Sequence, residues 1–147
     1  MELKTLEKVE MSADGIVNVS AEKAWDLFND FGDLSWYGPM LKSCHLEGDG
    51  TAGSKRTVKI KGFGNWSEIL DFIDYKEKII KYTLLDGHPF PFKNYSGLIK
   101  VSEKGANRCY IKWEAKYEVE ASKVKESKNL IKLIIDKGIE RIRKIFE

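Results

Sequence analysis

Three ionisable residues alternate with apolar ones at strand spacing. Lys42 shares its parity with Cys44 and Leu46, Arg56 with Val58 and Ile60, and Glu68 with Trp66, Leu70 and Phe72. Residues two apart on a strand share a face, so each charge is predicted to point inward with its apolar companions. An unpaired charge in that setting costs several kcal/mol, so these groups need partners. Lys42 and Arg56 could hold a ligand's acid group while Glu68 accepts hydrogen bonds, directly or through water. Alternatively, Arg56 and Glu68 pair with each other and prop the wall of a cavity. Both arrangements stay open for that pair; for Lys42, ligand contact is favoured.

Other reactive residues form no known catalytic pattern. His88 has the ordinary pKa, near ~6.5, of a general base, but a lone loop histidine is more often a solvated one. Asp26, Asp30, Asp33, Asp71 and Asp74 show no paired spacing, and no Ser-His-Asp, Cys-His or phosphate-loop arrangement emerges. No catalytic residue is assigned. Cys44 and Cys109 lie in strand-like segments and are expected to be buried free thiols. With only His45 and His88 beside them, no metal site and no cofactor are expected.

The elements that must position these residues follow from periodicity. Leu6 to Val19 reads as a strand with a bend or bulge at Asp14-Gly15. Ser20 can cap a short helix over Ala21 to Asn29, and a second helical turn or two over Phe31 to Met40 breaks at Gly38-Pro39. Six further strands follow: Leu41–Glu47, Ser54–Lys61, Trp66–Tyr75, Ile79–Leu85, Tyr95–Glu103 and Arg108–Val119. Short glycine- and asparagine-bearing turns between them suit an antiparallel meander. Cys109, Ile111, Trp113, Ala115, Tyr117 and Val119 alternate with polar residues, marking a strand with one wet face. By the same parity Glu114 points outward.

From Ser122 to Phe146 the period becomes helical, with Ile131, Ile134, Ile135, Gly138, Ile142 and Ile145 on one stripe. Such a helix is about 35 Å long at ~1.5 Å per residue, enough to cross the sheet. The expected fold is therefore α+β: a seven-stranded curved antiparallel sheet, two short helices after its first strand, and a long C-terminal helix. One helix cannot closely cover so wide a sheet, so a void is expected between them. Its predicted lining is Lys42, Arg56, Val58, Ile60, Phe63 and Glu68, then Tyr82, His88, Phe90, Tyr95 and Trp113. Ile134, Ile135, Gly138 and Ile142 complete it from the helix. Gly138 interrupts the stripe and leaves room for a ligand or for an aromatic ring from the sheet.

Composition fits one domain over residues 1–147. Charged residues make up 33% and hydrophobic ones 42%, with a formal charge of +2, which argues against disorder and lends nucleic-acid binding no support. Met1 to Met11 carries charges at Glu2, Lys4, Glu7, Lys8 and Glu10, unlike a signal peptide, and no stretch reaches membrane-span length. A cytoplasmic protein, monomer or homodimer, without integral membrane association, is expected.

The segments "NVSAEKAWDLFNDFGDLSWYGPML", "GTAGSKRTVKI", "SEILDFID" and "KNYSGLIKV", in this order and spacing, resemble the SRPBCC superfamily of polyketide cyclase/dehydrase and lipid-transport-like proteins. The resemblance covers about Leu6 to Phe146 and implies the helix-grip fold. "LKSCHLE", "SEILDFID" and "GHPFPFKNYS" are also similar to the plant abscisic acid receptors. That similarity implies a carboxylate-binding role for Lys42, pocket positions for Arg56, Glu68 and Tyr95, a gate loop at Lys61–Asn65 and a latch at Asp86–Phe92. The gate here reads Gly-Phe-Gly where those receptors have Gly-Leu-Pro, and the latch carries Pro-Phe-Pro without their arginine.

The leading expectation is a carrier or binder of a small hydrophobic molecule, with an acid or carbonyl group near Lys42. A cyclase/dehydratase-type enzyme using Lys42, Glu68 or His88 for proton transfer is the alternative. A third is a homodimeric interaction module pressing with the Phe63 and Phe90 loops, with Gly62 and Gly64 available as hinges of a lid.

Overall fold

Alternation of apolar and polar residues produces seven antiparallel strands: β1 (Leu6–Val17), β2 (Leu41–Glu47), β3 (Lys55–Ile60), β4 (Gly64–Asp74), β5 (Ile79–Leu84), β6 (Phe92–Glu103) and β7 (Cys109–Glu120). They form one sheet in the order β1-β7-β6-β5-β4-β3-β2. The structure, a computed structural model, describes residues 5–147; Met1 to Lys4, part of the charged segment Met1 to Met11, lie outside the described residues. Among the described residues no helix is long and apolar enough to cross a membrane.

Two helices pack on the sheet, α1 (Ala21–Phe28) and α2 (Val124–Ile145). Ser20 caps α1 by accepting the Lys23 amide at 3.3 Å. The second predicted helix is shorter than expected, a single 3-10 turn over Ser35–Tyr37. Asp33 accepts the Ser35 amide at 2.8 Å at its start, and Gly38, at φ 93°, ends it. On α2, Ile131, Ile135, Ile139 and Ile142 are fully buried. Each contributes roughly 1.5–3 kcal/mol of hydrophobic stabilisation.

Three features differ from expectation. Of the bend or bulge expected at Asp14-Gly15, the bulge is absent, since β1 pairs with β7 in unbroken register from Leu6 to Val17. Gly15 serves close approach instead: a Cβ there would stand 2.7 Å from Arg143 Nη2 and 2.9 Å from Ile139 Cγ2 of α2. β4 starts at Gly64, so the expected gate loop is only a tight turn over residues 61–63, held by the Phe63 amide on the Ile60 carbonyl. β6 starts at Phe92, three residues early, because a bulge between Lys93 and Ser96 lets the strand continue. Further irregularities at Leu41/Ser43 and Leu70/Phe72 bend the sheet around α2.

Candidate functional site

Between the inner face of the sheet, Phe28 of α1, the 3-10 turn and α2 lies a cavity of about 90 Å³. It is almost wholly apolar, and nine of its 21 lining residues are aromatic. The hollow expected from the fold is present but narrower than expected, because rings fill much of it. Liquid water occupies ~30 Å³ per molecule, and an engineered cavity that takes benzene is about 150 Å³. A guest of one ring or more therefore needs a lining side chain to move.

The polar corner of the cavity is built by β3 and β4. Their register sets Arg56 opposite Glu68, and Arg56 Nε donates to Glu68 Oε1 at 2.6 Å. Both residues are 7% exposed, so the pair is genuinely inside. Arg56 Nη1 donates to the Phe31 carbonyl at 3.2 Å, and its Cζ lies 4.1 Å from the Phe31 ring centroid. Trp66 Nε1 donates to the other carboxylate oxygen of Glu68 at 3.2 Å. The two arrangements left open by the sequence are thus resolved in part: the internal ion pair exists, and it lies against the cavity.

Beside it, Trp113 Nε1 donates to the Tyr82 hydroxyl at 3.0 Å. Burial, and then the charge of Glu68, push the Tyr82 phenol up to about 12. Tyr95 is held well above its ordinary value, again chiefly by burial. Tyr37 donates to the Ile134 carbonyl at 3.2 Å, and burial raises it to about 12. All three phenols are neutral donors near neutral pH.

The segment between β5 and β6 closes one end. Phe90 and Phe92 stack at 5.3 Å with planes 6° apart, and Phe90 meets Trp66 edge-on at 5.1 Å. His88 stacks on Phe90, and its Nδ1 accepts the Phe90 amide at 3.2 Å. Burial holds His88 below its usual value, with Asp86 pulling partly the other way. A Cβ on Gly64 would come within 3.0 Å of Pro89, so the β3–β4 turn and this segment touch.

Of the predicted lining residues, Arg56, Val58, Ile60, Glu68, Tyr82, Phe90, Tyr95, Trp113, Ile134 and Ile135 surround the cavity. Lys42 does not. It is the extra residue of the bulge where Leu41 faces Ile60 and Ser43 faces Lys59, so the parity linking it to Cys44 is broken and its side chain is exposed. Phe63 packs half-buried against the core from the tight turn, and His88 stands behind Phe90. Ile142 is buried about two turns beyond Ile135, the last residue of α2 to line the hollow. The space beside Gly138 is taken by Trp113, Tyr37 and Trp36, each 3.5–3.7 Å from where its Cβ would be. Glu114 stays on the outer face beside Lys112, as its parity requires.

Sequence reasoning missed Phe28, Leu34, Trp36 and Tyr37, which roof the cavity. Aromatic residues at 36 and 37 of a short polar segment were the available signal. Trp36 is 6% exposed, and its buried indole N–H has no partner among the described residues. Cys44 and Cys109 are free, but of the two only Cys109 is buried and Cys44 is half-buried; the described residues hold no metal-ligating cluster.

The family described as polyketide cyclase/dehydrase and lipid transport matches residues 8–147. No curated protein sequence matches significantly. An uncharacterized protein from Bacillus thuringiensis superposes with TM-score 0.84 at 24% identity, over 94% of this chain and 98% of its own. The protein XoxI from Bacillus cereus gives 0.83 at 23%, over 93% and 94% respectively. Norcoclaurine synthase from Thalictrum flavum, solved with dopamine and hydroxybenzaldehyde, gives 0.79 at 20%, over 96% and 87%. At these identities the likeness is one of fold.

Proposed function

Because the chain belongs to the polyketide cyclase/dehydrase and lipid transport family, of SRPBCC type and helix-grip fold, we propose that it binds a small, largely apolar organic molecule beneath α2. The observation that carries this reading is an aromatic-lined hollow with one buried, charge-balanced polar corner at Arg56 and Glu68. Apolar contact at ~25 cal/mol per Å² provides the affinity, and the polar corner provides orientation. Phe90 is the moving part: it is half-buried, lies on the segment between β5 and β6, and lines the cavity. Its displacement enlarges the hollow to the size of a guest.

The reading as a proton-transferring enzyme has less support. Lys42 lies outside the cavity, both oxygens of Glu68 already accept hydrogen bonds, and the Nδ1 of His88 is occupied by a backbone amide. A dimer made through the Phe loops is also less supported, since Phe63, Phe90 and Phe92 turn into the protein.

Thermal shift against a panel of apolar aromatic molecules, with native mass spectrometry for co-purified guests, tests the reading. Ile134→Phe should fill the cavity from a half-buried position and abolish the shift while the protein stays folded. Lys42→Ala should leave the shift unchanged. A shift that survives Ile134→Phe and disappears in Lys42→Ala places the guest elsewhere.

A further inference from the structure

Resting on that reading of the cavity, we infer that its guest is uncharged and aromatic and carries a hydrogen-bond-accepting oxygen, as in an aryl ketone, rather than a carboxylate or an ammonium group. Charge balance is the first reason. Among the described residues, the charged groups lining the cavity are Arg56 and Glu68, and these neutralise each other at 2.6 Å. Lys42, which would have matched a carboxylate, is exposed and does not line the cavity. An ionised guest would therefore enter as a net charge in an apolar enclosure, or would have to break the buried pair.

The leftover hydrogen-bonding capacity is the second reason. Glu68 receives Arg56 on one oxygen and Trp66 on the other. Arg56 uses Nε and Nη1 within the protein, and Nη2 carries further donors. The Tyr82 hydroxyl already accepts from Trp113. Donors are in excess, so an accepting oxygen satisfies what the walls present. The raised phenols of Tyr82 and Tyr95 keep the enclosure neutral over the same pH range.

Shape is the third reason. The rings of Phe28, Trp36, Trp66, Phe90 and Trp113 leave edges and faces toward the hollow region, a wall suited to another ring.

Four probes of one size separate these terms on the wild-type chain: acetophenone, ethylbenzene, benzoate and benzylammonium, each titrated by tryptophan fluorescence and amide chemical shifts at pH 7. Acetophenone should bind about tenfold tighter than ethylbenzene, and both ions at least tenfold weaker than acetophenone. Arg56→Met/Glu68→Leu should erase the acetophenone preference and leave ethylbenzene binding in place. Benzoate or benzylammonium binding as tightly as acetophenone overturns the inference and leaves the cavity reading standing. Failure of all four, ethylbenzene included, overturns the cavity reading and this inference with it.

Discussion

Gly97 on β6 faces Tyr82 on β5 so closely that a Cβ at position 97 would stand 2.4 Å from the ring's Cζ and 2.5 Å from its hydroxyl. The missing side chain lets Tyr82 lie across its neighbour strand and reach Trp113. Gly97→Ala should push the ring away and break that hydrogen bond, costing about 1–3 kcal/mol by overpacking. Urea unfolding measures the loss. The paired variant Gly97→Ala/Tyr82→Leu should recover part of it, because the two residues are in contact and their effects do not add.

The ion pair of Arg56 and Glu68 should look strong or weak depending on how it is removed. Arg56→Met or Glu68→Leu alone leaves one buried charge without its partner and should cost about 3–5 kcal/mol in urea unfolding. Arg56→Met/Glu68→Leu removes both charges and should be close to neutral or stabilising. If the double variant is as unstable as either single one, the pair's hydrogen bonds to Phe31 and Trp66 matter more than its charge balance.

Much of this is legible in the amino-acid sequence. β7 alternates strictly from Cys109 to Val119, and its apolar residues are all buried as that period requires. The isoleucine stripe likewise placed α2, except at two positions: Ile145, on the stripe, is 42% exposed, and Ile139, left off it, is buried. Arg56 and Glu68 were legible because their strands run in regular register between Lys55 and Ile69. Lys42 was not, because one inserted residue between Leu41 and Ser43 reverses the face on which it sits, and the sequence there carries no glycine or proline to announce it. The roof from Trp36 and Tyr37 was illegible for a different reason. A three-residue turn has no periodicity, and only tertiary packing against Gly138 orients its rings.

Acidification should loosen the segment that carries Phe90. Burial holds His88 below 6.5, so the folded chain favours the neutral ring, whose Nδ1 accepts the Phe90 amide. Between that lowered value and about 6.5 the unfolded state binds more protons than the folded one. The contribution of His88 is therefore intact above about 6.5 and is lost as pH falls through the folded value. An NMR titration of the His88 ring, run with the protection of the Phe90 amide (its exchange relative to the intrinsic rate at each pH), should show protonation and loss of protection together. His88→Asn should remove the pH dependence of that protection. Protection at Phe90 that stays constant while His88 titrates would separate the ring from the segment's closure.

Gly138 offers a change in the opposite direction. It lies in the buried stripe of α2, where glycine costs about 1 kcal/mol relative to alanine through backbone entropy. The nearest atoms to a Cβ at this position, Trp113 Cζ3 and Tyr37 Cε2, would both be 3.5 Å away, an ordinary contact distance. Gly138→Ala should therefore stabilise the protein by roughly 0.5–1 kcal/mol, read as a higher urea midpoint at unchanged slope. It should also leave guest affinity alone, because the added methyl meets rings that already separate Gly138 from the hollow. A larger residue has no such room: Gly138→Leu should drive into Trp36, Tyr37 and Trp113 and destabilise. A loss of stability in Gly138→Ala would mean that those rings are packed against α2 more tightly than a methyl group allows.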